Sequence, residues 1–378
     1  MPYLELNGLR KEFGTTLAAD DVDVSLDQGR ILCLLGPSGC GKTTTLRMIA
    51  GLTRQDAGSI RLKNREISQV PTHKRRIGLV FQNWALFPHL NVHDNIAFGL
   101  RTQKLPKDQI SQRVEEILRI VQLPEFGDRL PSQLSGGQQQ RIALARSLVI
   151  NPDLMLFDEP LSNLDLKLRN EMREELRRIN RELNLTSVYV THDQGEALSL
   201  GDKVAVMMAG RIVEIGPPET LFERPRTTYV ADFLGVENIL HGTPVDGGRF
   251  EIAPGIETGL YASPFSDEAP IAVGIRAEQI EMSGSPLDGY DNAYSGVVTR
   301  RDYQGSRILY SIRIENSDSE IRVSHTGATG FGTGQSVWAA WNDNQALPLI
   351  SPATEEVIDH GGTESAGAET AGTREKAA

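Results

Sequence analysis

Five short runs along the chain are apolar or β-branched at nearly every position: Ile31–Leu35, Ile77–Phe81, Leu154–Phe157, Ser187–Thr191 and Val204–Met208. Runs of this length without polar alternation suit strands covered on both faces, as in a parallel sheet. Stretches with the helical period lie between several of them. Ile110, Val114, Ile117, Leu118 and Val121 recur at helical spacing, as do Leu168, Met172, Leu176, Ile179 and Leu183, and each set predicts an amphipathic helix. Ile31–Leu35 ends at Gly36, and Lys42–Ala50 reads as a helix stopped by Gly51. Strand, glycine-rich loop and helix, with further strands and helical connections, predict a mixed α/β core with parallel strands. The first helical set falls in a helical insertion spanning 83–150.

After Gly235 the long helical patterns stop. Short β-rich segments replace them at Ile271–Arg276, Gly296–Arg300, Ile308–Ile314 and Ser336–Trp341, which predicts an all-β domain over 236–353 following an α/β domain over 1–235. The last stretch, 354–378, is rich in Glu, Gly, Thr and Ala with almost no large apolar residue, and reads as a disordered tail.

A chain of 378 residues can bury two such cores without disulfide staples. Its 39 Lys and Arg against 50 Asp and Glu leave a net charge of −11, which disfavours a nucleic-acid scaffold. Met1–Arg10 has no basic segment followed by an apolar core, and no apolar run approaches the roughly 18 residues that span a bilayer. The chain itself is therefore expected in the cytoplasm. Two cysteines, Cys33 in an apolar run and Cys40 in the glycine-rich loop, make neither a disulfide framework nor a metal set.

The loop reads GPSGCGKT. Gly36, Gly39 and Gly41 let backbone approach phosphate oxygens, with Pro37, Ser38 and Cys40 between them; Lys42 supplies positive charge, Thr43 a hydroxyl for Mg²⁺, and Thr43 and Thr44 open the helix whose N-terminal dipole favours anions. Asp158 and Glu159 follow Leu154–Phe157, which sets two carboxylates at the end of a buried strand, where open α/β sheets bind ligands. Asp158 suits metal binding through water, and Glu159 suits polarising the water that attacks a γ-phosphate. Whether the two side chains diverge is open at this level. Ser135, Gly136, Gly137 and Gln138 precede an apolar-periodic stretch to Val149, so their hydroxyl and amides fit a second anion-binding helix start. The glycines are poor helix formers, which argues against a mere cap. Phe13 before Gly14 could be an ordinary core residue, though an aromatic face there also suits stacking on a base. Lys74-Arg75-Arg76 and the charged stretch Arg169–Glu182 read mainly as solvated surface.

Together GPSGCGKT, Leu134-Ser-Gly-Gly-Gln138 and Asp158-Glu159 resemble the ATP-binding subunits of ABC transporters, over roughly Leu4 to Leu234. Gly274–Ile280, reading GIRAEQI, resembles the TOBE domain appended to one branch of ABC importer ATPases. The resemblance implies a P-loop ATPase cassette with a helical insertion, followed by a small all-β, TOBE or OB-like domain. It also implies that Lys42, Glu159 and His192 are catalytic, and that Gln82 lies near Mg²⁺, with Thr43 and Asp158 as the other metal contacts. Ser162-Asn163-Leu164-Asp165 then matches the loop that crosses between subunits, and Phe13 the adenine-stacking residue. The implied partners are a second ATPase subunit in a homodimer, membrane permeases and, indirectly, an external solute-binding protein, with no nucleic acid. The implied location is the cytoplasmic face of the inner membrane. Gln82–Gly99, read as exposed loop aromatics and Pro88 beside Gln82, resembles the groove that receives a permease coupling helix, and Trp84-Ala85-Leu86-Phe87-Pro88-His89 with the TOBE-like segment looks closest to the polyamine, ferric-iron and sugar importer branch, with polyamine preferred. A soluble ABC ATPase of DNA repair or translation would share the nucleotide motifs, but this chain has one cassette, no long coiled-coil insertion and an acidic balance.

Overall fold

The computed structural model describes residues 2–246, 248–261, 270–326 and 330–352. The segment read as a tail, 354–378, lies outside the described residues. No described helix is long and apolar enough to cross a membrane.

The five apolar runs all form strands of one six-stranded sheet, ordered Arg211–Gly216, Lys203–Met208, Ile31–Leu35, Ser187–Thr191, Leu154–Asp158, Ile77–Val80. All neighbours in it are parallel except the pair formed by the first two strands. Alternation survives inside the apolar runs as a division between two cores. Ile31, Cys33 and Leu35 pack with Ile142, Met172 and Ile179 on the helical side, whereas Leu32 and Leu34 pack with Leu46, Ile49 and the N-terminal strands. Burial on both faces is why these strands contain almost no polar residue. The predicted helical insertion appears as Val92–Thr102 and Lys107–Ile120, joined to the core by Gly136–Leu148.

The sequence reading did not anticipate a second sheet in this half, built antiparallel from Thr16–Leu26, Leu4–Phe13, Ala57–Leu62 and Arg65–Glu66. Its register shifts at Leu6/Leu9, Leu9/Lys11 and Lys11/Glu12. Such bulges break the two-residue period by which a half-buried strand is recognised.

One surface assignment is corrected. Arg75 is 5% exposed, and its guanidinium donates to the carbonyls of Met48, Ile49, Ser68 and Val70 at 2.7–3.1 Å. Helix ends leave carbonyls without intrahelical donors, and Arg75 satisfies those of Lys42–Ala50. Gly51 makes room for it: its φ is +76°, and a Cβ there would lie 2.5 Å from Arg75 Nε. Within Arg169–Glu182 likewise, Glu175 is buried and paired with Arg178 at 2.8 Å.

From Asn238 onward the described regular elements are strands and short 3₁₀ turns. A five-stranded antiparallel sheet orders Glu281–Ser283, Ser336–Trp341, Asn292–Tyr303, Ile308–Ile314, Glu320–His325, over a core with Phe250, Tyr310 and Trp341 fully buried. This second unit is fastened to the first. Arg276, the arginine of GIRAEQI, donates to the carbonyls of Leu234 and Phe222 and stacks 3.8 Å from the Phe222 ring centroid. Ile350 pairs in parallel with Thr227.

Candidate active site

The carboxyl ends of four adjacent parallel strands carry the motifs. The loop Gly36–Gly41 follows Ile31–Leu35, Gln82 follows Ile77–Val80, Glu159 follows Leu154–Asp158, and His192 follows Ser187–Thr191. In the loop, backbone lies against backbone. A Cβ on Gly36 would sit 2.4 Å from the Met207 carbonyl oxygen, and one on Gly41, whose φ is +104°, 2.3 Å from that of Ala18. Pro37, Ser38 and Gly39 form its exposed rim, while Thr43 and Thr44 are half-buried at the start of the helix. Lys42 is buried, and its ammonium donates to the carbonyls of Gly36 and Pro37, each at 2.8 Å. The Cys40 sulfur is 3.7 Å from that ammonium, but burial pushes the thiol pKa up, against the thiolate character a redox cysteine needs.

Thr43 Oγ1 donates to Asp158 Oδ1 at 3.0 Å. Burial raises the Asp158 pKa, and the Thr43 hydrogen bond opposes that rise. The chain then turns sharply: Glu159 has φ +45°, a left-handed conformation costing about 1–3 kcal/mol for a residue with a side chain. The consequence is that the two carboxylates part. Asp158 faces the phosphate loop, whereas Glu159 Oε2 lies 3.2 Å from His192 Nδ1. Gln82 joins from the side, its amide donating to Ser162 Oγ at 3.2 Å, which itself donates to the Glu159 carbonyl at 2.9 Å. Asn163 closes this ring by donating to the Gln82 carbonyl at 3.1 Å.

Ser135 and Gln138 are not joined to this group; their side-chain hydrogen bonds run to each other. Ser135 Oγ accepts from the Gln138 amide at 3.4 Å and Gln138 Oε1 from the Ser135 amide at 2.9 Å, a capping box at the start of Gly136–Leu148. The two glycines serve packing as well. A Cβ on Gly136 would meet the Trp84 ring at 3.4 Å, and one on Gly137 would lie 2.8 Å from Leu168. Asp165 caps the next helix, accepting from the Leu168 amide at 3.0 Å. Phe13 ends its strand 52% exposed, with Lys11 Nζ 5.2 Å from its ring centroid. That exposure removes the core alternative.

The loop after Gln82 differs from its reading. Trp84 and Phe87 are half-buried rather than exposed. Trp84 Nε1 donates to the Pro160 carbonyl at 3.3 Å, Phe87 packs 4.7 Å from Phe98, and Arg146 donates to the Trp84 and Ala85 carbonyls. Phe81, Pro88, His89 and Phe98 do face the surface, with Asn83 and Ala85 of the loop. Sequence reasoning also missed Arg169, Glu196 and Asp193, which brace the His192 turn; a charged residue inside a charged stretch gives no local signal of where it points.

The described residues hold no group of three or more His, Cys, Asp and Glu able to cage a metal. One hydroxyl and one carboxylate 3.0 Å apart suit Mg²⁺, which keeps waters and takes substrate phosphates as its other ligands.

Residues 19–162 match the family model described as ABC transporter, and residues 273–349 that of the TOBE domain. The chain is 44% identical to the spermidine/putrescine import ATP-binding protein PotA of Nostoc sp., across 92% of this chain and 93% of that protein. It is 42% identical to the protein of the same name from Pseudomonas aeruginosa, across 90% and 96%. Among solved structures, a part of the cbiONQ ABC transporter complex from Clostridium perfringens aligns with a TM-score of 0.55 at 30% identity, covering 58% of this chain and 90% of that one. An ATP-binding cassette described as a dimeric post-hydrolysis state bound to ADP and Pi aligns with a TM-score of 0.51 at 31% identity, covering 57% and 98%. Motif order, strand topology and full-length identity converge: the chain belongs to the ABC transporter family, as an ATP-hydrolysing subunit that carries a C-terminal TOBE domain.

Proposed function

We propose that this chain energises the import of a polyamine, spermidine or putrescine, as the ATPase of an ABC importer. The observation that carries the reading is that likeness to the spermidine/putrescine import ATP-binding proteins runs through both the cassette, assigned to 1–235, and the β domain, assigned to 236–353. The chain works as a homodimer against permease subunits on the cytoplasmic face of the membrane, and an external solute-binding protein delivers the cargo. Phe81, Phe98, Pro88 and His89, exposed beside Gln82, are the residues offered to the permease.

In the proposed site Phe13 stacks on adenine, and Gly36 to Thr44 enclose the phosphates with Lys42 neutralising their charge. Thr43, Asp158 and Gln82 would hold Mg²⁺, which supplies charge neutralisation at the phosphate oxygens. Glu159 orients and deprotonates the attacking water, and His192, held by Glu159, donates toward the γ-phosphate. Ser135, Gly136, Gly137 and Gln138 of the second chain close over the nucleotide, with Asp165 and its turn at the subunit boundary. The separation of Ser135 from Lys42 in the hydrogen-bond pattern of one chain supports that division.

Phe13→Ala should weaken ATP affinity by about 1 kcal/mol, the scale of an aromatic stacking contact, without a change in thermal stability. Nucleotide titration of the full chain checks this; unchanged affinity would remove Phe13 from the site. The cargo is tested with the chain, its permease and its solute-binding protein reconstituted in vesicles. Labelled spermidine should accumulate and raise ATP turnover. Stimulation by a sugar or ferric ion, with none by spermidine, would reassign the cargo and leave the ATPase standing.

A further inference from the structure

Glu159 and His192 make a pair whose geometry packing alone does not secure. The His192 side chain is 53% exposed, so its position follows from the residues on either side of it. Both are tethered. Thr191 Oγ1 donates to Glu196 Oε2 at 2.7 Å and accepts from the Asp193 amide at 3.0 Å. Asp193 in turn accepts from the Glu196 amide at 2.8 Å. Glu196 is 3% exposed, and Tyr189 also donates to it.

One cation stands behind these tethers. Arg169 Nη1 donates to Asp193 Oδ2 at 3.3 Å, Nη2 to the Leu164 carbonyl at 3.2 Å, and Nε lies 3.7 Å from Glu196 Oε1. Leu164 belongs to the turn that begins at Glu159, where Ser162 bonds back to the Glu159 carbonyl. The same guanidinium therefore braces the His192 turn through Asp193 and Glu196, and the Glu159 turn through Leu164. Its Nε is buried and has no hydrogen-bond partner. A buried donor left unmade, with a carboxylate oxygen just beyond bonding distance, is a costly arrangement in a group otherwise so fully engaged.

We propose that Arg169 is a positioning residue for hydrolysis, holding the Glu159 turn and the His192 turn in one fixed relation. The proposal rests on the catalytic reading of Glu159. A planar fork with donors in three directions performs this task, and a lysine ammonium on a flexible stem engages fewer partners at once. Misplacement of a catalytic group by about 1 Å can cost about 10²-fold in rate while substrate contacts remain. Arg169 touches neither the phosphate loop nor Phe13 in this structure, so its loss should fall on kcat.

The test compares Arg169→Ala, Arg169→Lys, Arg178→Ala and Glu159→Gln in the full chain, with kcat and KM for ATP normalised to folded protein. Arg178 lies on the same helix and is equally ion-paired, to Glu175 and Glu182, but reaches neither turn. Arg169→Ala should lower kcat by about 10- to 100-fold with KM within about twofold, Arg169→Lys should recover part of that loss, and Arg178→Ala should keep wild-type kcat. If Arg169→Ala does not fold, a kcat loss in Arg169→Lys at unchanged KM carries the same weight. Wild-type kcat in Arg169→Ala beside an inactive Glu159→Gln overturns the proposal alone. Equal losses in Arg169→Ala and Arg178→Ala also overturn it, since they indicate a general role of the helix. Normal turnover by Glu159→Gln instead overturns the catalytic reading beneath it.

Discussion

Replacing Glu159 by Gln should leave ATP bound and uncleaved. The amide has the carboxylate's shape, so the left-handed turn and the contact with Ser162 through the backbone persist. What disappears is the negative oxygen 3.2 Å from His192 Nδ1, and with it both the acceptor for a water proton and the charge that orients the imidazole. Loss of a general base typically costs about 10²- to 10⁴-fold in rate, and kcat should fall within that range while nucleotide affinity changes little. Single-turnover phosphate release with bound ATP quantified in parallel measures both. A folded variant that hydrolyses ATP within about threefold of the original rate would take general-base chemistry away from Glu159, since the expected loss is far larger.

The parallel sheet and its loops were legible because of how they are buried. A strand covered on both faces carries few charged residues, so Ile31–Leu35 appears as a bounded apolar run and Ser187–Thr191 as a bounded β-branched and aromatic one, and their boundaries matched the structure. The candidate site residues sit at the ends of those runs, where residue type makes them visible. Legibility failed where a side chain's destination depends on tertiary contact. Arg75 looks like its neighbours Lys74 and Arg76, yet it alone turns inward to meet carbonyls left at a helix end. Trp84 and Phe87 have the composition of an exposed docking loop, but an indole N–H needs an acceptor when half-buried and finds the Pro160 carbonyl. The antiparallel N-terminal sheet was hidden by its own bulges. The divergence of Asp158 from Glu159 depends on one backbone angle, which no side-chain pattern records.

The same distinction bears on Ser135. Its sequence context announces an anion-binding helix start, but within one chain its hydroxyl only caps that helix; under the proposed shared site, the nucleotide contact is made from a second copy. Lys42→Ala removes the ammonium that Gly36 and Pro37 now hold, and Ser135→Arg puts a long cation where the proposed second chain would approach. Each homodimer should therefore lose both of its sites. Circular dichroism and thermal melting establish that each variant is folded, since replacing an N-cap serine costs about 1 kcal/mol by itself.

The direct measurement is made on an isolated mixed dimer, with Lys42→Ala on one chain, Ser135→Arg on the other, and Glu159→Gln on both to prevent turnover. One interface then combines an intact phosphate loop with an intact Ser135, and the opposite interface carries both lesions. Because the two sites can be coupled, bound nucleotide is counted per dimer at saturating ATP rather than inferred from rate. The shared-site account predicts one trapped ATP per mixed dimer and none in either single-variant homodimer. Mixed dimers that trap no more ATP than those homodimers would contradict it.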